Sequence, residues 1–145
     1  AAYSANRAIG IFWWHQPITA EAILQAEEAD TVTLVAVLNY LPVAERGAIL
    51  EACWQRLARY GRLIITCVTP VGGWLHRVVR WTQPAGLPSA EVIRLAHAGR
   101  RFRLVYEKPF MLGLNRLYVF AREEGTATLA VKEYRKEVEE VKKTL

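Results

Sequence analysis

The stretch from Asp30 to Leu38 constrains the fold more than any other part of this sequence. It reads D-T-V-T-L-V-A-V-L and is β-branched or apolar almost throughout. A run of this kind predicts a central strand of a parallel sheet that is covered on both faces. Leu41-Pro42 is expected to end the strand, because proline does not continue a sheet ladder.

A helix and a second strand are predicted to follow. Apolar residues recur every four positions from Ile49 to Leu57, which predicts an amphipathic helix over 43–60 with Gly61 as its C-cap. Arg62 to Val68, R-L-I-I-T-C-V, predicts another buried strand. Strand, helix and strand with short connections form a βαβ unit, so the two strands are expected to be parallel.

The next part of the chain predicts a long loop, a helix and a closing hairpin. Thr69 to Pro88 is rich in Gly, Pro and Trp and predicts a loop with a short helix over 74–81, where α/β folds place substrate contacts. Ser89 is the predicted N-cap of a helix that reaches Ala98. Phe102 to Tyr106 and Leu114 to Ala121 predict an antiparallel hairpin.

The two ends of the chain carry shorter patterns. Ile9 to Trp14 fits a strand, and Ile18 to Ala29 fits a helix with Thr19 as its cap. After Gly125 the apolar residues follow a heptad-like seam, which divides the chain into an α/β domain, 1–125, and a helical tail, 126–145. The seam consists of Ala127, Val131, Tyr134, Val138, Val141 and Leu145. The tail either lies on its own domain or contacts another chain.

Charge and cysteine usage narrow the class of protein. The formal net charge is +5, but the basic residues are scattered, whereas nucleic-acid binding normally needs a clustered patch. Cys53 and Cys67 stand apart in apolar surroundings, which indicates buried free thiols in a reducing compartment. No apolar run is long enough to cross a bilayer, and no signal peptide is visible. These features predict a cytoplasmic protein.

The segment from Asp30 to Pro70 resembles the central part of class I S-adenosylmethionine-dependent methyltransferases. In that family a strand that begins with an acidic residue leads to a v-L-x-x-L ending, and a helix and an L-x-x-G-G-x-L-i-i strand follow. D-T-V-T-L-V-A-V-L-N-Y-L-P and A-R-Y-G-R-L-I-I-T stand here at these places, with Tyr60-Gly61 replacing the glycine pair. P-S-A-E and two closing strands continue the family order, so the resemblance covers roughly residues 30–122.

The resemblance implies a fold and an activity. The fold is a Rossmann-like α/β domain with a mixed sheet, mostly parallel, that ends in an antiparallel hairpin and is incomplete at its amino-terminal end. The activity is methyl transfer from S-adenosylmethionine to a small or macromolecular acceptor that the sequence does not identify. Such transfer depends on aligning the nucleophile with the sulfonium methyl group and on excluding water.

The cofactor contacts of the family are missing or replaced in this sequence. It contains no G-x-G, which in the family lets the backbone approach the cofactor closely. No acid stands at Ala2-Tyr3-Ser4, where the ribose-binding carboxylate would align. The adenine-side acid would fall at 12–16, which offers His15 and Gln16. We therefore expect the isolated chain to bind S-adenosylmethionine weakly or not at all.

The candidate site residues follow from the resemblance and from their place in the chain. The cofactor candidates are His15, Gln16, Val35, Ala36, Asn39 and Tyr40. His15 also fits an aromatic cluster with Trp13 and Trp14, and the small size of Val35 and Ala36 also fits sheet packing. The substrate candidates are Trp74, His76 and Arg77, of which His76 is the candidate general base, although no orienting partner for it is visible.

Two functions stay open, and nucleic-acid binding is a third option that the scattered charge does not favour. The chain is either a methyltransferase, or a part of one, or a non-catalytic scaffold that acts through its sheet edge or its tail helix. The family strand that would pair with the other side of Asp30–Leu38 has no counterpart in the sequence. Since an open apolar edge is rarely tolerated, we expect a homo-oligomer or a complex, unless Ile9–Trp14 fills the gap.

Overall fold

The computed structural model of the chain describes residues 2–6, 11–70, 72–79, 81–98, 101–122, 136 and 138–144. In chain order the elements are β1 (Ala2–Asn6), β2 (Ile11–His15), α1 (Ala20–Leu24), β3 (Ala29–Val35), a 3-10 turn (Leu38–Tyr40), α2 (Val43–Arg56), β4 (Leu57–Val68), α3 (Gly73–Val79), α4 (Ser89–His97), β5 (Phe102–Phe110) and β6 (Asn115–Arg122).

Four strands form the main sheet, in the order β3-β4-β6-β5. β3 and β4 are parallel, and β6 is antiparallel to both β4 and β5. Three strands therefore run in one direction and β6 runs against them, which confirms the predicted mixed sheet with its closing hairpin. The predicted strand over Ile9–Trp14 corresponds to β2, which pairs with β1 in a separate two-stranded sheet.

The βαβ unit forms as predicted, but the boundary between its helix and its second strand was predicted wrongly. α2 ends at Arg56, and the buried Leu57 already belongs to β4, where it pairs with Ala29. Gly61 is consequently not a helix cap. It lies inside β4, and the left-handed residue is its neighbour Tyr60, with a φ of 67°.

The position of β3 also differs from the prediction. Among the described strands, β3 pairs with β4 alone and therefore lies at an edge, whereas its apolar run predicted a central strand. Its residues Thr31, Thr33 and Val35 are exposed, so the strand is not covered on both faces. It is also shorter than predicted, because the chain leaves it at Ala36, which has a φ of 54°.

One face of the sheet carries the core. Alternate residues of β4, Leu63, Ile65 and Cys67, are fully buried, as expected for a strand whose side chains point to opposite faces. α2 and α4 supply the other layer, and α1 packs on α2. The core consists of Leu34, Leu38, Ile49, Leu50, Cys53, Leu57, Leu63, Ile65, Cys67, Leu87, Val92, Ala96, Phe102, Tyr118 and Phe120.

Several local predictions can be compared directly with the structure. Thr19 is the N-cap of α1 and its hydroxyl accepts a hydrogen bond from the amide of Ala22, but the helix is much shorter than predicted. The N-cap of α4 is Pro88 rather than Ser89, because the Ser89 hydroxyl is hydrogen-bonded to Tyr118 instead. The helix in the loop after β4 is confirmed as α3.

The tail is described only near its end, where residues 138–144 are helical. Val138 and Val141 are exposed there, and Ala127, Val131, Tyr134 and Leu145 lie outside the described residues. The division into a domain, 1–125, and a tail, 126–145, thus stays a prediction. In the part of the chain that the structure describes, no helix has the length and apolar character needed to cross a bilayer.

Candidate functional site

The candidate site lies where β3 and β4 end, at the edge of the sheet that binds ligands in α/β folds. The chain turns sharply out of β3 at Ala36, whose backbone is left-handed. The amide of Ala36 donates to both the carbonyl and the hydroxyl of Thr66, at 3.0 and 3.1 Å. These contacts fix the end of β3 against β4 and leave Val35 67% exposed beside the turn.

Asn39 connects this edge to the loop that follows β4. Its side-chain Nδ2 donates to the carbonyls of Val68 and Ala85, at 3.0 and 2.9 Å. Its Oδ1 accepts from the Val68 amide at 2.9 Å. The side chain is only 8% exposed, and both of its N–H groups are used within the protein. Asn39 is therefore a clamp between the strand ends, a role that the sequence did not reveal.

The other cofactor candidates fall into two groups. Val35, Ala36 and Tyr40 lie together at the end of β3 and in the 3-10 turn after it, and Tyr40 is exposed. His15 ends β2 in the separate two-stranded sheet and is exposed, and Gln16 follows it. The strand-end group matches the place predicted from the sequence, and the contacts of both groups with a cofactor stay predictions.

The substrate candidates lie on α3, in the loop between β4 and α4. Trp74 and Arg77 are exposed, and His76 belongs to the same helix, although its side chain lies outside the described residues. The loop returns to β4, since the amide of Leu87 donates to the carbonyl of Val68 at 2.8 Å. α3 is therefore held near the strand ends by a connection at both sides of the loop.

The hairpin of β5 and β6 reaches the same end of β4. The amide of Thr69 donates to the carbonyl of Leu114 at 2.9 Å, and its hydroxyl donates to the carbonyl of Gly113. Deeper in the sheet, the hydroxyl of Tyr118 donates to Ser89 Oγ at 2.9 Å, and burial raises the pKa of this phenol. Tyr118 thus stays protonated at neutral pH and acts as a packing residue.

Two carboxylates near the site are held in ion pairs with arginines. Glu91 lies 3.3 Å from Arg46, and Glu107 lies 2.6 Å from Arg116. Neither carboxylate matches the ribose-binding acid of the resemblance. In the described ranges no cluster of His, Cys, Asp and Glu could hold a metal ion.

The two cysteines are not candidate nucleophiles. Cys53 and Cys67 are free and fully buried. Burial raises the pKa of each thiol to about 12, which leaves almost no thiolate at neutral pH. The arrangement at the strand ends can position a ligand, but its described side chains form no acid-base or nucleophilic cluster.

Comparison with known proteins identifies the fold. No protein family model matches the sequence, and no curated protein matches it. Many solved structures match, S-adenosylmethionine-dependent methyltransferases are prominent among them, and the similarity lies in the fold. The mixed sheet with its closing hairpin is thus part of the class I methyltransferase fold.

Three of these structures illustrate the similarity. The N-methyltransferase NodS from Bradyrhizobium japonicum WM9, in complex with S-adenosyl-L-homocysteine, is 22% identical, with a TM-score of 0.51 over 70% of this chain and 52% of that one. Magnesium protoporphyrin IX methyltransferase (ChlM) from Synechocystis PCC 6803, with bound S-adenosylhomocysteine, is 18% identical, with a TM-score of 0.55 over 70% and 48%. An O-methyltransferase family protein from Burkholderia thailandensis is 19% identical, with a TM-score of 0.57 over 73% and 33%. This chain therefore spans about a third to a half of their length.

Proposed function

We propose that the chain is one part of an S-adenosylmethionine-dependent methyltransferase and that its cofactor site is completed by a further polypeptide segment paired with β3. One observation carries the proposal. The edge of β3 is unpaired in the described structure, and it lies directly beside Val35, Ala36 and Tyr40, the candidate cofactor residues. A strand added to this edge would bring new backbone groups to the place where ligands bind.

The two edges of the sheet differ in a way that supports this proposal. β5, the opposite edge, has a register irregularity between Leu104 and Tyr106 and carries Lys108 and Pro109. Bulges, lysine and proline all discourage a further strand from pairing. β3 has none of these devices between Thr31 and Val35. β3 is thus the edge that is suited to accept another strand.

The residues of this chain fit only part of the cofactor. Val35 and Ala36 are small enough for a ligand to lie along the strand end, and Tyr40 can contact it. The ribose hydroxyls lack the carboxylate acceptor that the resemblance implies, because no acid stands at Ala2-Tyr3-Ser4, and the Asn39 side chain is engaged with the backbone. We therefore derive no transfer step within this chain alone and assign it the strand-end wall of the site, with α3, which carries Trp74, His76 and Arg77, as the candidate element for binding the acceptor.

Calorimetric titration with S-adenosylhomocysteine tests cofactor binding directly. Each missing charge-assisted hydrogen bond to the ribose costs about 1.5–3 kcal/mol, so the isolated chain is expected to bind at about 1 mM or weaker. A dissociation constant in the low micromolar range, at a concentration where the chain sediments as a single copy, would mean that the chain completes the site itself through His15 or Gln16. The same value found only where the chain self-associates would identify a second copy as the segment paired with β3.

Sedimentation velocity tests the pairing of β3. We expect a mass above the 16.4 kDa of one chain at micromolar concentration, and Val35→Lys is expected to reduce it to that of a single chain. Val105→Lys is the matched control, because Val105 is an exposed valine on the protected edge strand, and it should leave the mass unchanged. A single-chain mass for the unmodified protein removes the support for strand pairing.

The second candidate function is a scaffold that binds a partner without catalysis. It is favoured by the commitment of Asn39 to backbone groups and by the ion pairing of Glu91 and Glu107, which leave few polar groups for a cofactor. The tail helix would supply a second contact through Val138 and Val141. An assembled complex that still fails to bind S-adenosylhomocysteine supports the scaffold over the enzyme.

A further inference from the structure

The turn between β5 and β6 has an unusual sequence for its geometry. The amide of Gly113 donates to the carbonyl of Phe110 at 3.2 Å, and the two residues between them, Met111 and Leu112, have φ of 51° and 57°. Both residues thus have a left-handed backbone, which Asn and Gly adopt more readily than other residues. Large apolar residues occupy both positions here, and Leu112 is 95% exposed.

A second group of exposed apolar residues lies on α3 and just after it. Trp74 and Val78 are four residues apart in α3, which places them on one side of the helix, and Trp81 follows shortly after its end. Trp74 is 75% exposed and Trp81 81% exposed. Side chains of this size are seldom left in water without a function. Tryptophan is enriched at boundaries between an apolar region and water, because its ring is apolar and its N–H group is polar.

The two groups are connected to the same end of β4. Thr69, directly after β4, is hydrogen-bonded to Gly113 and Leu114 of the turn. The loop that contains α3 starts from Thr69 and returns to Val68 through Leu87. The turn and the loop that carries α3 are therefore both attached at the carboxyl end of β4.

The charge of this region is one-sided. The loop over 69–88 contains two arginines, Arg77 and Arg80, and no acidic residue. Next to the turn, Lys108 is exposed, whereas Glu107 is neutralised by its ion pair with Arg116 at 2.6 Å. The apolar projections are thus accompanied by positive charge, which suits an anionic partner.

We propose that these five residues, Trp74, Val78, Trp81, Met111 and Leu112, form a rim that inserts into the headgroup layer of an anionic lipid bilayer. Separate exposed side chains suit a lipid bilayer, because a folded protein partner would have to offer a separate pocket for each of them. Interfacial tryptophan, exposed aliphatic side chains and neighbouring basic residues are the combination that binds such surfaces. The proposal does not depend on cofactor binding.

Vesicle binding tests the rim. Purified protein is mixed with vesicles of phosphatidylcholine alone or of phosphatidylcholine with phosphatidylserine, and binding is measured by co-sedimentation and by the blue shift of tryptophan fluorescence. We expect binding to the anionic vesicles that weakens as salt rises. Equal binding to both kinds of vesicle, or binding to neither, overturns the proposal.

Two variants and a control separate the rim from the fold. Met111→Asn with Leu112→Gly installs the preferred turn sequence, so it should raise the melting temperature while it weakens vesicle binding by about tenfold or more. Trp74→Ser with Trp81→Ser should weaken binding to a similar extent. Tyr60→Ser removes an exposed aromatic side chain near the opposite end of β4 and should leave binding unchanged.

The remaining outcomes are equally decisive. Unchanged vesicle binding by the turn variant overturns the proposal, since the tip would then not enter the bilayer. The unmodified chain could also fail to bind vesicles but self-associate in solution, with the turn variant abolishing that self-association. This result would identify a second copy of the chain as the occupant of the rim, and it would overturn the proposal.

Discussion

The side chain of Asn39 forms two hydrogen bonds with the backbone of Val68, one as donor and one as acceptor, as the backbone of a neighbouring strand would. The Asn39 Nδ2 group donates to the Val68 carbonyl at 3.0 Å, and Oδ1 accepts from the Val68 amide at 2.9 Å. The residues are 29 positions apart. The amide side chain thus satisfies the last backbone groups of β4 and holds the 3-10 turn against them.

Asn39→Asp is expected to destabilise the fold. A carboxylate cannot donate to the carbonyls of Val68 and Ala85, so the substitution replaces two favourable contacts by repulsion in a buried place. We expect the free energy of unfolding in urea at neutral pH to fall by about 2–4 kcal/mol. The control is Asn115→Asp, whose amide makes only an exposed contact with the Met111 sulfur, and it should change stability by less than about 0.5 kcal/mol. Equal stability of the two variants contradicts the clamp.

Tyr60→Gly is expected to stabilise the chain. Tyr60 has a φ of 67°, a left-handed conformation that glycine adopts without strain, and its side chain is exposed. We expect a gain of about 0.5–1 kcal/mol in the free energy of unfolding, measured in urea, although the contact of Arg59 with the Tyr60 ring is lost.

The neighbouring glycine provides the opposite case. A Cβ on Gly61 would lie 2.8 Å from the carbonyl oxygen of Ala58 and 3.2 Å from that of Asp30. Gly61→Ala should therefore cost about 1–3 kcal/mol, since the backbone must move. A gain from Gly61→Ala, or a loss from Tyr60→Gly, would show that the irregular start of β4 has been described wrongly.

The sequence predicted the elements whose patterns are local. The strand over Arg62–Val68, the hairpin of β5 and β6 and the Thr19 cap depend on residues a few positions apart, and all three form. The end of α2 was predicted wrongly because the helical spacing continues through Leu57. The burial of Leu57 and its pairing with Ala29 draw it into β4 instead, and this contact is distant in sequence.

Strand order and the chemistry of the site could be read only in part from the sequence. The apolar run of β3 predicts a buried strand, but whether a strand is central depends on which neighbours are present, and β3 pairs here with β4 alone among the described strands. The location of Asn39 and Tyr40 at the strand end followed from the general rule for α/β folds, and Val35 and Ala36 were candidates because of the family resemblance. The clamp formed by Asn39 did not, because its partners Val68 and Ala85 come from two other segments.

Gly86→Ala is expected to loosen the loop that carries α3. A Cβ at this position would lie 2.5 Å from Pro70 Cα and 2.5 Å from the Thr69 carbonyl carbon, and it would also meet Pro70 N. All three are backbone atoms, so the loop must separate from the end of β4. We expect a loss of about 2–4 kcal/mol in urea unfolding.

Faster hydrogen exchange of the Leu87 amide, which now donates to Val68, should accompany that loss. Gly72→Ala is the control, because a Cβ there has no atom within 4 Å, and both measurements should stay near those of the unmodified chain. Unchanged exchange at Leu87 in Gly86→Ala would contradict the close approach of the loop.

The buried thiols make the stability of the chain depend on alkaline pH. Burial raises the pKa of Cys53 and Cys67 from 9.0 to about 12, so the folded chain keeps protons that the unfolded chain releases above about pH 9. The stability contributed by the protonated thiols is complete below the unfolded value and is lost as the pH rises towards 12. At about pH 10 the two thiols together should reduce the free energy of unfolding by about 1–3 kcal/mol.

The double substitution Cys53→Ala with Cys67→Ala is expected to be less stable at neutral pH because it leaves cavities in the core. It lacks the thiol ionisation, however, and retains Tyr118 and the lysines, so the difference in stability between the two proteins should narrow from about pH 8 to about pH 10. Urea unfolding across this range measures the difference, and parallel curves for the two proteins would show that the thiols are not shielded from water.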